Sequence, residues 1–132
     1  MPQAQPILVE IAPGELIDKI TILEIKAERI ADSQKLQNVR VELKVLEEAR
    51  DRAISSSPEL DALTARLKGI NEALWDIEDA IRDCERNRDF GPAFVELARS
   101  VYRKNDQRAA VKRKINELLG SKLVEEKSYA EY

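Results

Sequence analysis

No histidine occurs anywhere in the 132 residues, so the commonest general base and metal ligand of neutral pH is missing. A single cysteine, Cys84, rules out an intrachain disulfide and with it a stapled secreted scaffold. A reducing cytoplasm is the expected compartment. Four glycines and five prolines are too few turn residues for an all-β chain. Aromatic residues make up 5%, so Leu, Ile, Val and Ala must fill the interior. No apolar run approaches the roughly 20 residues that cross a bilayer, so no membrane span is expected. Met1 to Ile11 lacks the basic start and long apolar stretch of a secretory signal.

What is present suits helix packing. Hydrophobic residues are 43% and charged residues 36%, too apolar a mixture for disorder, in a length that fits one domain with its own core. The net charge of −3 argues against a general polyanion binder. The charge is nevertheless blocked: ten acids against five bases from Glu59 to Glu96, then seven bases against Asp106 alone from Arg99 to Lys114. Only Tyr102 interleaves the basic block, so stacking on single-stranded nucleic acid is not expected. A solvated face, partly neutralised by the acidic third helix, is the simplest reading of that block.

Ile7 to Ile11 reads as a strand or extended arm, and Pro13-Gly14 then opens a first helix, with Glu15 and Asp18 near its positive end, running to about Ala31. Asp32 or Ser33 caps a second helix with a seam at Leu36, Val39, Leu43 and Leu46. Ser57-Pro58 starts a third. There Leu60, Leu63, Leu67, Ile70, Leu74, Ile77, Ile81 and Cys84 alternate in steps of three and four, the strongest pattern in the chain. At 1.5 Å per residue this helix, ending near Asn87, is about 45 Å long. The fourth runs from Pro92 to Leu119 with Gly120 to end it, and its seam falters at Lys104 and Arg108, leaving room for a bend at Asn105-Asp106. Leu123 to Glu125 could pair as an extended segment with the N-terminal arm, and the polar tail holding Tyr129 and Tyr132 is expected to fray.

Two charged residues interrupt apolar arcs. Arg108 falls on the seam between Val101 and Ile115, where arginine is rare unless paired. Glu24 falls between Leu16, Ile17 and Ile20 on the first helix. A Glu24–Arg108 ion pair is one expectation; wet-edge positions for both are the blander one. Arg108 and Lys112 share a face with Asn105, where phosphate, a nucleotide sugar or an acidic partner could dock. Glu72, Asp76, Asp79 and Asp83 recur on one face of the third helix, as do the carboxylates of all-helical magnesium-dependent pyrophosphatases. The facing helix offers only Glu24 and Glu28, so a solvated face is expected, and neither a metal nor a cofactor is assigned. Cys84 and Trp75 are read as packing residues.

Pro13-Gly14-Glu15-Leu16-Ile17-Asp18-Lys19-Ile20-Thr21-Ile22-Leu23-Glu24-Ile25-Lys26, Asn71 to Asp79, Asn105 to Asn116 and Val124 to Tyr129 together resemble a bacterial family of small uncharacterised helical proteins, a domain of unknown function. The resemblance covers most of the chain. It implies no established activity, only an association with genes for glycosyl transfer and surface-polysaccharide assembly. Glu24 and Arg108 both lie in the family-like segments.

The expectation is therefore an all-α chain of four long helices in a bundle or coiled-coil-like hairpins, a single domain over residues 1–132 with an extended arm at 1–13 and a tail at 121–132. The expected role is a non-enzymatic interaction or accessory protein that self-associates or meets a protein partner. The alternative is a binding protein or enzyme for a phosphate or nucleotide sugar, at Glu24, Asn105, Arg108 and Lys112.

Overall fold

A computed structural model of the chain describes residues 4–132. It contains four α-helices, α1 (Pro13–Arg29), α2 (Ser33–Ala53), α3 (Pro58–Arg86) and α4 (Pro92–Leu118), and no strand among the described residues. The arm before α1 is extended but unpaired, with Ile7 88% and Leu8 89% exposed. Among the described residues it is tied to the C-terminal segment by a surface ion pair, Lys122 to Glu10 at 3.3 Å.

Local chemistry sets most boundaries. Asp32 accepts from the Lys35 N–H at 2.9 Å and so caps α2. Ser57 does the same for Leu60 at 3.1 Å, with Pro58 at the first helical position, where its missing N–H costs nothing. Gly120, at φ 64°, turns the chain out of α4, and the Ser121 N–H reaches back to the Asn116 carbonyl at 2.9 Å. The faltering seam of α4 does not break it: the helix is continuous through Asn105 and Asp106, since polar residues on a helix face do not remove backbone hydrogen bonds.

The start of α1 is different. Ala12 at its N-cap supplies no side-chain acceptor. The Gly14 N–H, one of the unpaired first-turn donors, instead gives its hydrogen bond to Asn116 Oδ1 on α4 at 2.7 Å. A residue 102 positions away caps this helix.

α1 is the hub. It packs against α2, α3 and α4, whereas α2 lies on α1 and α3 lies along α4. Ile17, Leu60, Leu67, Ile70, Val111 and Ile115 form the core where α1 crosses the α3–α4 pair. Beyond Leu74 the α3 seam packs along α4, and Ile77, Ile81 and Cys84, like Phe94, Leu97 and Val101 of α4, are only half-buried. Two helices alone do not enclose a seam; the third helix is needed, and it ends before reaching there. Among the described residues no helix is long and apolar enough to cross a membrane.

Candidate functional site

The small and polar residues of α1 share one stripe. Gly14, Asp18, Thr21 and Ile25 stand at steps of four, three and four, and all are buried. Gly14 lets α4 approach: a Cβ there would lie 2.5 Å from the Lys112 carbonyl oxygen. One turn on, the Asp18 side chain, 1% exposed, enters the same crossing.

Arg108 grips it from the side. Nε donates to Asp18 Oδ1 at 3.0 Å, and Nη2 donates to Oδ2. Asn71 of α3 donates from Nδ2 to Asp18 Oδ1 and to Thr21 Oγ1, both at 2.9 Å, while the Thr21 hydroxyl donates to the Asp18 carbonyl at 2.8 Å. No buried side-chain polar atom among the described residues lacks a partner. A buried charge is tolerable only on such terms.

Lys112 extends the network outward. Its side chain is 10% exposed, and Nζ donates to Glu15 Oε2 at 2.7 Å and to Glu125 Oε2 at 2.8 Å, with Asp18 Oδ2 4.0 Å away. Burial pulls the Lys112 ammonium down. The hydrogen bonds it donates to Glu125 and Glu15 and the nearby charges of Glu15 and Asp18 outweigh it, so its pKa ends above the ordinary lysine value. The bond from Lys112 holds the Glu125 carboxyl below its usual range. Asp18 likewise raises Arg108.

Asn105, Arg108 and Lys112 therefore do come together. With Glu125 and Lys127 they line a polar cleft of about 200 Å³ on the outer side of α4. Glu24 does not join them. The carboxylate that meets Arg108 is Asp18, and the charges around Glu24 are Lys68, Glu47, Arg50 and Glu28, none of them from α4. The expected Glu24–Arg108 pair is thus replaced by Asp18–Arg108, because Asp18 rather than Glu24 sits on the stripe that faces α4. The signal was present as the Gly14-Asp18-Thr21-Ile25 spacing, which a search for aliphatic seams passes over.

Burial pushes the Glu24 carboxyl up, and Lys68 opposes this only in part. A carboxyl raised in the folded state is less stable there when ionised, so its charge costs stability above its pKa, and stability is regained as pH falls through that range. Glu24→Gln is expected to leave stability unchanged or to raise it by less than about 1 kcal/mol at pH 7, since the site is partly exposed. The gain should disappear near pH 4. Urea unfolding at both pH values checks this, and a destabilised variant would refute the burial argument.

Among the described residues the ion pairs made by the basic block are with acids outside α3. Arg99 and Arg103 pair with Glu96, and Arg113 pairs with Glu117 and Glu126. On α3 itself Asp76 is taken by Arg29, whose guanidinium also lies over the Trp75 ring, and Asp83 is taken by Arg86. No group of three or more His, Cys, Asp or Glu residues able to hold a metal occurs among the described residues. The tail does not splay away, either. Glu125 and Glu126 dock on α4, and the Tyr132 hydroxyl donates to Asp106 Oδ2 at 2.7 Å. The basic residues of α4 hold acids 13 positions on in sequence, a pairing that helical periodicity does not report.

No curated protein and no solved structure matches this chain. One family does, over residues 7–132. The match takes in α1 to α4 and every residue of the cleft, and the chain belongs to the Family of unknown function (DUF6165).

Proposed function

We propose that the protein is a non-enzymatic binding module for a small phosphate-bearing ligand, taken at the cleft of Asn105, Arg108, Lys112 and Lys127. One observation carries this reading. Asp18 fixes Arg108 through Nε and Nη2, while Nη1 is bonded to no described residue and Arg108 lines the cleft, its side chain 30% exposed. A guanidinium held on one edge and open on the other is pre-organised for an anion, because its rotamer freedom is already spent. Asn105 and Lys127 line the same cleft, the Lys127 ammonium lying 3.5 Å from Glu125 Oε1. Nothing in the cleft pairs a nucleophile with a general base, which favours binding over catalysis. The surface-polysaccharide association implied by the family resemblance makes sugar phosphates the first class to try.

Inorganic pyrophosphate is the simplest probe. Titration calorimetry is expected to show saturable binding at one site per chain. Asn105→Ala and Lys127→Gln, which disturb no buried bond, should each weaken it by about 1 to 2 kcal/mol. Binding that ignores both variants would place the anion elsewhere and end this reading.

A second reading, self-association or a protein partner, is favoured by the exposed Ile7 and Leu8 of the arm and the half-covered seam at the far end of the α3–α4 hairpin. It concerns different surfaces and is compatible with the first.

A further inference from the structure

All three tyrosines of the chain, Tyr102, Tyr129 and Tyr132, line one groove between α4 and the tail. In a chain this poor in aromatic residues, their convergence is the most marked local enrichment outside the core. The groove encloses about 870 Å³, with Val101 and Ala130 completing its apolar wall. It is continuous with the polar cleft, since Asn105 and Lys127 line both. Such a volume is within the usual range for small-molecule sites. A bare phosphate would leave it almost empty.

The tyrosines are set in place but not used up. The Tyr132 ring stands edge-on to Tyr102 with centroids 4.8 Å apart, and its hydroxyl is tied to Asp106. Tyr129 and Tyr132 are still 78% and 77% exposed. The Lys127 ammonium lies 5.7 Å from the Tyr129 ring centroid, and rings this exposed gain by stacking on another ring. Along α4, Tyr102 lies six residues before Arg108, about 9 Å at the helical rise. A nucleoside diphosphate spans that separation between its base and its terminal phosphate.

Resting on the anion-binding reading above, we propose that the tyrosine groove is the ring-binding half of the same site, so that the ligand is a nucleoside diphosphate, free or as the head of a nucleotide sugar. The diphosphate lies at Arg108, Lys127 and Asn105, and the base lies among Tyr102, Tyr129 and Tyr132. Glu125, paired with Lys112 and Lys127, is the one carboxylate lining the polar cleft. Its replacement by glutamine should tighten binding of any phosphate-bearing probe.

The test compares uridine diphosphate with pyrophosphate on the full chain by calorimetry. The nucleotide is expected to bind at least tenfold more tightly. Tyr102→Ala and Tyr132→Ala should bring uridine diphosphate down to the pyrophosphate affinity while leaving pyrophosphate itself unchanged, which also shows that the variants remain folded. Uridine diphosphate glucose, run alongside, distinguishes a free nucleotide from a nucleotide sugar by which of the two binds more tightly. If pyrophosphate binds and uridine diphosphate is no tighter, the ring-binding half is wrong and the anion cleft stands. If the tyrosine variants weaken both probes equally, the ring assignment is likewise overturned. If neither probe binds, both readings fall together.

Discussion

Replacing Asp18 with alanine is expected to cost about 3 to 5 kcal/mol of folding stability, the range for removing one partner of a buried ion pair. The reason is what remains behind. Arg108 would keep its charge in a half-buried position without the carboxylate that holds both Nε and Nη2. Asn71 would lose one of its two acceptors, and Lys112 would lose the nearest buried counter-charge. Domains of this kind are stable by only about 5 to 15 kcal/mol in total, so a loss of that size is a large fraction. The double variant Asp18→Leu with Arg108→Met should recover most of it, because apolar side chains of similar volume need no partner. Urea unfolding of the three proteins decides the matter. A cost below about 1 kcal/mol for Asp18→Ala would show that the pair is wetter than its burial indicates.

Gly14→Ala is the second large effect expected, and here the cause is space. Its Cβ would stand 2.5 Å from the Lys112 carbonyl oxygen and 2.8 Å from Asn116 Oδ1. The first of these is backbone, so α1 and α4 must separate, and the Gly14 N–H to Asn116 cap then lengthens or breaks. Alanine in a helix favours folding by about 0.5 to 1 kcal/mol over glycine, but the clash should outweigh this and leave a net loss of about 2 to 3 kcal/mol. Gly69→Ala is the control. Gly69 lies within α3, and a Cβ there meets nothing within 4 Å, so only the helix preference remains and the variant should gain up to about 1 kcal/mol. Thermal unfolding of the two variants should shift in opposite directions. Shifts of the same sign would mean that the close approach at Gly14 is not maintained in solution. Gly14→Ala should also weaken pyrophosphate binding, since the Lys112 backbone is what it displaces.

The helices themselves were legible in the chain. Asp32, Ser57-Pro58 and Gly120 act on neighbours a few residues away, and the Leu60-to-Cys84 spacing states which face of α3 is apolar. α1 reads as apolar around much of its circumference and is the helix with the most neighbours. Three of the four candidate residues, Asn105, Arg108 and Lys112, lie on one face of one helix, so their spacing alone places them together along the cleft. Glu24 was drawn in by its place on an apolar arc. Which side of α1 faces α4 depends on how the helices cross, and that is settled by Gly14, where the absence of a side chain admits the α4 backbone.

Local rules acting over three or four residues determined the elements, their ends and the apolar faces of this protein. Tertiary structure decided the rest: that Asp18 rather than Glu24 meets Arg108, that Asn116 caps α1 at Gly14, 102 residues earlier, and that the tail lies on α4 with its tyrosines beside the cleft. These contacts join residues far apart in the chain through charge and close approach. Periodicity identifies the side of a helix that must be covered and is silent about which helix covers it.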